Sequence, residues 1–513
     1  MSDSGTPQSR ELISEDDFGL LSRISQSRSA TLVRPVEFER DGEINFSGNL
    51  PIFTTRLRHS TINRKWKPEN FYSDKSRIVF CSSFRRMMQK AQVFSLEKNT
   101  SVRNRLTHSL EVADIGRTLA RQIGKRLEAL GIATPEETEC IQCIVENACL
   151  LHDIGNPPFG HFGEEAIKSW FHKRGSEIFD KVCKKLPTQT NLTLPFQESP
   201  KLNDFFMFDG NPQGFRIATR LHCDVDHFGL NLTCSTLLAT VKYPNFGSFG
   251  QTNKFNKKLG VFSSESSLYR EICKLSSLPV GRRYFLAYVM ELADDICYCL
   301  SDIADSFEKE LTDSRDFKEE FRNICKEQGV DVKGIIPDSP IHHFGYDVSI
   351  RVSRRLIDEA TENFCSNIGS YVNGTSNELL ENLPSGGILK CFKTFTRRFI
   401  YTDAEVQRIE IAGSRIVEGL LEHFGRLLEI PRSDFTYFVE RKELRKNSRL
   451  DTEWRIFNQL SKRMISVYEH STQNGISDEE EWVCRARLIV DYISGLTDTY
   501  ALQTYQNFMG ISL

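Results

Sequence analysis

The chain has 513 residues, with 66 Lys and Arg against 69 Asp and Glu, a formal net charge of −3. That balance excludes a global electrostatic pull onto nucleic acid or membrane, and 39% hydrophobic residues with 36 Phe exclude a mostly disordered protein. The length predicts about three domain-sized units or one large helical body with an appendage. No run of about 18 apolar residues occurs, so no membrane span is expected. The opening MSDSGTPQSRELISEDD lacks the apolar centre of a secretory leader, and a cytoplasmic location is expected.

Residues 1 to about 50 are rich in Ser, Asp, Glu and Arg without sustained periodicity and read as a mobile polar arm. Beyond about 60, apolar residues recur at three- and four-residue spacing, the helical signature. In RLTHSLEVADIGRTLARQIGKRLEAL, Leu106, Leu110, Ala113, Leu119 and Ile123 are expected on one face, with Gly131 just past the helix end. Thr134-Pro135-Glu136-Glu137 opens the next helix: an N-cap hydroxyl, Pro at the first position and acids in the first turn. That helix is expected to run through IVENACLLHD and stop at Gly155 and Pro157-Pro158. Residues 186–265 are more polar and read as loops and short helices, with room for a hairpin. The stretch from about 282 to 311 is the longest apolar-periodic one, and further amphipathic segments follow beyond about 330. The fold class expected is all-α with small irregular or β excursions. The 14 Cys lie in apolar surroundings and read as buried thiols. Cys140 and Cys143, the one CxxC, lack a second pair at zinc-ribbon spacing.

Three separated places supply metal-type ligands: His108, the adjacent His152-Asp153, and Asp294. Two imidazoles with two carboxylates suit a divalent ion. Mg or Mn leads, with Fe, Co and Zn inside the same preferences. Asp295 is the alternative to Asp294. Directly after His152-Asp153, GNPPFG breaks the helix and delivers His161, with Glu164 three residues on and able to face it if a helix restarts. An imidazole beside a carboxylate is what general acid–base chemistry wants, although the same pair can merely cap a helix. Asp294, Tyr298 and Asp302 recur every four residues and form one stripe.

The strings FRRMMQKAQVF, RNRLTHSLEVADIGR, LLHDIGNPPFGHFGEEAI, FDGNPQGFR, ELADDICYCLSD and DYISGLTDTYA resemble the bacterial deoxyguanosinetriphosphate triphosphohydrolase family, long form, within the HD-domain phosphohydrolases. The resemblance runs from about residue 60 to the C-terminus. It implies an HD-domain catalytic core over 56–330 behind a polar arm over 1–55. A C-terminal helical region over 331–513 would complete the body and supply an oligomer interface. It further implies hydrolysis of deoxynucleoside triphosphates, dGTP preferred, at the α-phosphorus, giving deoxynucleoside and tripolyphosphate. His108, His152, Asp153 and Asp294 would hold the metal, and His161 oriented by Glu164 would move the proton. Arg105 and Lys242 would meet the triphosphate; Gln92, Tyr298 and Asp302 the sugar; Asn211, in the family string FDGNPQGFR, would be a further substrate contact. Arg445 and Arg455, in and beside the basic run RKELRKNSRL, would approach the triphosphate, across a subunit boundary in a hexamer. The same run would serve as a landing strip for a single-stranded DNA effector; its bland reading is a solvated helix face. Two other functions stay open: an HD phosphohydrolase acting on other nucleotides, and a single-stranded nucleic-acid-binding protein with a vestigial metal site.

Overall fold

Thr134 begins its helix as its chemistry dictates. Its side chain accepts from Glu137 N–H while Glu137 returns to the Thr134 backbone, a reciprocal cap that satisfies two otherwise orphaned donors. Asn104 and Thr107 repeat the device one helix earlier. In the computed structural model, which describes residues 50–58, 66–183, 200–223, 226–246, 258–331, 333–337, 341, 344–446 and 448–511, these caps open the helices that carry the site. They are α1 (Arg105–Ala129) and α2 (Pro135–Leu151). Next come α3 (Gly160–Trp170) and the short α4 (Gly210–Arg216). They are followed by α5 (Phe285–Glu308), α6 (Ala404–Glu429), α7 (Asp478–Ser494) and α8 (Asp498–Phe508). The arm expected over 1–55 lies outside the described residues up to 49.

The architecture is all-α. Among the described residues β structure amounts to two isolated bridges, Arg56–Thr233 and Ala91–Asn104. No hairpin occurs in the described parts of 186–265. The Phe285–Glu308 helix has 24 residues and is exceeded by the 26 of Ala404–Glu429, so the most apolar stretch is not the longest helix. Gly131 closes α1 as expected at φ 71°, with Gly131 N–H on Glu128 O and Ile132 N–H on Leu127 O. The expected apolar face of α1 holds at Ala113, Leu119 and Ile123, all buried, but not at Leu110, which is 50% exposed. The inward face is set by His108, Val112, Gly116, Leu119 and Ile123, and Leu110 lies off it.

Two apolar cores result. The first runs from Leu50 to Val406 and contains the inward faces of α1, α2 and α5. The second joins Phe159–Phe208, Leu259 and Phe262 to residues 416–501. The loop after His152-Asp153 therefore leaves one core and enters the other. All 14 cysteines are free. Burial pushes the Cys140 and Cys143 thiols up to about 12 and about 11, which suits packing and opposes thiolate chemistry. No helix of the described residues is long and apolar enough to cross a membrane.

Candidate metal centre and active site

His108 sits on the first turn of α1, wholly buried, and His152 is the C-cap of α2. Ligand atoms of His108, His152 and Asp153 lie within 4.8 Å of one another. Asp294, mid-way along α5, brings its Oδ1 to 3.3 Å from His108 Nε2 and 3.2 Å from His152 Nε2. Three helices thus deliver four ligand-type side chains to one place. His152 Nδ1 lies 2.6 Å from the Cys149 carbonyl. That hydrogen bond fixes the tautomer, with Nδ1–H donating and the Nε2 lone pair directed inward. Nε2 is buried and has no hydrogen-bond partner, an orphaned nitrogen of the kind a bound cation would satisfy. Against the cost of burial, Asp294 and Asp153 raise the His152 pKa above its usual value. A field that favours a positive charge here is one a divalent cation would use, and the N/O donor set fits such an ion.

Two cations border the carboxylates. Arg105 Nη1 is 2.6 Å from Asp153 Oδ2, and Lys242 Nζ is 2.5 Å from Asp294 Oδ2. Despite burial, Arg105 and the neighbouring imidazoles hold the Asp153 carboxyl well below the usual range. Lys242 and His152 do the same for Asp294. Asn156 Nδ2 donates to Asp153 Oδ1 at 2.5 Å. Asp295, the sequence alternative, ion-pairs instead with Lys393 at 2.8 Å. Adjacent helical residues point about 100° apart, so only one of the pair can face α1.

The GNPPFG loop turns from Asp153 to His161 at close quarters. A Cβ on Gly155 would meet Gly210 O at 2.1 Å and Gly214 N at 2.2 Å. Both contacts are backbone, so neither can swing away. Gly155→Ala is expected to cost about 1–3 kcal/mol through overpacking, measured as a lowered urea midpoint, with activity falling as the loop shifts. His161 heads α3, its side chain 78% exposed, with Nδ1 2.8 Å from Glu164 Oε2. Glu164 is buried, and its other oxygen accepts from Gly210 N–H at 2.7 Å. The hydrogen bond to Glu164 raises the His161 pKa above its usual value. This is an oriented imidazole open to solvent on its far side.

The α5 stripe continues inward. Asp302 is fully buried; its Oδ2 accepts from the Tyr401 hydroxyl at 2.6 Å, and that hydroxyl lies 2.8 Å from the Tyr298 hydroxyl. Asp302 Oδ1 and Gln92 Oε1 are buried oxygens without partners. Burial pushes the Asp302 carboxyl up to about 8 from 3.8. A folded pKa above the unfolded one means the folded state keeps a proton that the unfolded chain releases. The stabilisation is complete below about pH 4 and is lost as pH rises to about 8. Asp302→Asn is therefore expected to flatten the decline of unfolding free energy across that window in urea titrations.

Asp209 caps α4, its Oδ1 accepting from the Asn211 backbone N–H and Nδ2 at 2.9 and 2.6 Å, so the Asn211 amide is turned to the cap. Arg445 pairs with Asp434 at 2.9 Å and lies over the Tyr437 ring, and Arg455 pairs with Asp451 at 2.8 Å. Neither has a hydrogen bond or ion pair to the His–Asp cluster among the described residues. Phe435 and Phe438, just before the basic run, are buried core residues. Tyr401 and Asn156 were not singled out from the sequence. Asn156 stands inside the HDIGN string and was open to notice; Tyr401 lies 99 positions from Asp302, and nothing local marks it.

Residues 105–199 match the HD domain family, and residues 434–507 match the phosphohydrolase-associated domain. With the His–Asp cluster on three helices, these matches place the chain among HD-domain proteins. It is 33% identical over 487 residues to the deoxyguanosinetriphosphate triphosphohydrolase of Cronobacter sakazakii, covering 86% of this chain and 94% of that one. It is 32% identical to the protein of the same name from Yersinia enterocolitica, covering 86% and 93%. The chain belongs to the deoxyguanosinetriphosphate triphosphohydrolase family.

Proposed function

We propose that the protein hydrolyses deoxynucleoside triphosphates, dGTP preferred, at the α-phosphorus, releasing deoxynucleoside and tripolyphosphate. The observation that carries this reading is the convergence of His108, His152, Asp153 and Asp294 beside the His161–Glu164 pair in a chain of this family. His108, His152, Asp153 and Asp294 would hold a divalent ion, Mg or Mn first, with Fe, Co and Zn also suited. When bound, that ion supplies Lewis-acid polarisation of a phosphate oxygen and lowers the pKa of water.

The remaining work belongs to side chains. Water adds to the α-phosphorus, the bond to the 5′ oxygen breaks, and that oxygen takes up a proton. His161, held through Nδ1 by Glu164, has its other nitrogen free to accept the proton of the water or to deliver one to the leaving oxygen. Arg105 and Lys242 place positive charge beside the anionic substrate. The unpartnered oxygens of Asp302 and Gln92, with the Tyr298 hydroxyl, suit the hydroxyl of a sugar, which can both donate and accept. Asn211 would be a further substrate contact beside Gly210, whose N–H donates to Glu164. Arg445 and Arg455 would act only across a subunit boundary, which fits a hexameric assembly. The basic run around them suits a single-stranded DNA effector, and the chain's working place is the cytoplasm.

Incubating the protein with dGTP and Mn or Mg is expected to yield deoxyguanosine and tripolyphosphate in equal amounts by chromatography. Pyrophosphate or orthophosphate as the sole inorganic product would contradict the bond assignment. Turnover confined to other nucleotides in a panel would contradict the substrate.

A further inference from the structure

Two of the family-like strings, FDGNPQGFR and DYISGLTDTYA, hold Arg216, Asp491 and Asp498, which take no part in the chemistry just described, yet both lie in buried polar contacts around the loop that carries His161. Arg216 holds Asp491 through Nε at 3.0 Å and Nη2 at 2.7 Å, and reaches Glu265 at 2.6 Å. Gln213 adds a bond to Asp491 at 3.0 Å. This lattice fixes the end of α7, and the chain then turns through Ser494 into α8.

At that turn, two buried polar side chains reach the active-site loop. Asp498, 2% exposed, accepts from Phe159 N–H through Oδ1 at 3.0 Å and from Ala91 N–H through Oδ2 at 2.9 Å. Lys90, 4% exposed, donates from Nζ to Asn156 O at 2.5 Å and to Ser494 O at 2.8 Å. Lys90 O accepts from Arg105 N–H at 2.9 Å, which places the same segment against the residue that pairs with Asp153. The loop so gripped is strained. Phe159 adopts φ 61° and Gly160 φ 55°, and the left-handed region is costly for a bulky side chain unless its surroundings enforce it. Phe159 is two residues before His161, and its N–H is the group Asp498 holds.

We propose that Lys90 and Asp498 are positioning residues that clamp the loop between Asp153 and His161, so that the C-terminal phosphohydrolase-associated region sets the placement of the acid–base imidazole. The groups match their tasks: the Lys90 nitrogen donates to two carbonyls and the Asp498 carboxyl accepts from two amides, each spanning the loop and a second segment. Neither side chain has a role at the reacting atoms. Removing either leaves the four metal-type side chains unaltered and frees one side of the turn that aims His161.

The inference rests on the proposed reaction, so wild-type turnover of dGTP is measured in parallel. No wild-type turnover would fail that reading, whereas wild-type turnover with unaltered variants would fail the clamp alone. Asp498→Asn keeps shape but turns an NH2 against one of the two amides; Lys90→Met keeps the stem and loses both donor bonds. Each is expected to lower kcat by about tenfold or more and to move the pH profile of kcat, while KM for dGTP and Mn affinity by electron paramagnetic resonance stay within about threefold. The pH profile matters because loss of folded protein alone would scale kcat without moving its limbs. The proposal is overturned if both variants keep kcat within about threefold of wild type, or if Mn affinity falls in step with kcat. It is likewise overturned if kcat falls with an unmoved pH profile. If one variant is insoluble the other decides; if neither folds, the contacts serve stability and the proposal is overturned.

Discussion

Asp153→Ala is expected to remove turnover by at least about 10³-fold, because it deletes a ligand-type oxygen from the site where the metal's charge would act on the substrate. Mn affinity, followed by electron paramagnetic resonance, is expected to fall with it. The size of the effect also reflects what remains. Arg105 is 8% exposed and loses its ion-pair partner at 2.6 Å, and an uncompensated buried cation repels the incoming ion. Asp153→Asn separates the two effects: it keeps the size and one oxygen but not the charge. His152→Ala is expected to match the alanine variant in both readouts, since it removes the orphaned Nε2. A variant that loses Mn but keeps turnover of dGTP would break the link between cluster and activity.

The second large effect concerns the proton. His161→Ala is expected to lower kcat by about 10²–10⁴-fold, the usual contribution of a positioned acid or base, with Mn affinity retained. Glu164→Gln tests the cause. The hydrogen bond from His161 to the Glu164 carboxylate raises the imidazole's pKa, and a neutral amide would withdraw that support. The limb of the pH–kcat profile that belongs to His161 is therefore expected to move to lower pH. The direction is the same whether the imidazole donates or accepts, but the limb identifies the role. An acidic limb, with activity lost as pH falls, marks a base; a basic limb marks an acid. An unmoved profile in Glu164→Gln would detach Glu164 from His161.

Local chemistry explains why so much of this was legible. Thr134, Pro135 and the two following acids determine a helix start whatever the fold, and Gly131 a helix end. The HD string marks its own ligand-type pair because the helix breaks just where the imidazole and carboxylate diverge. The four-residue recurrence of Asp294, Tyr298 and Asp302 puts them on one stripe by helix geometry alone. Spacing could not separate Asp294 from Asp295, since that depends on which side of α5 meets α1; the Asp295–Lys393 pair settles where the second carboxylate goes. Leu110 shows the same limit, because an apolar residue near the edge of a stripe is placed by its neighbours. Tyr401, Lys90 and Asp498 were out of reach for another reason. Lys90 and Ser494 are 404 positions apart, and a buried Lys looks in sequence like any surface Lys. Only the enclosure by two cores gives it a purpose. Arg445 and Arg455 pair locally with Asp434 and Asp451, so a role at the triphosphate depends on a second subunit.

Everything proposed for the reaction depends on one cation held by residues from three helices. Diffraction from crystals soaked in Mn, read as an anomalous difference map, tests this most directly. The account predicts one strong peak within about 2.3 Å of ligand atoms from His108, His152, Asp153 and Asp294 together. A peak that excludes Asp294, or no peak between the two imidazoles, would contradict it.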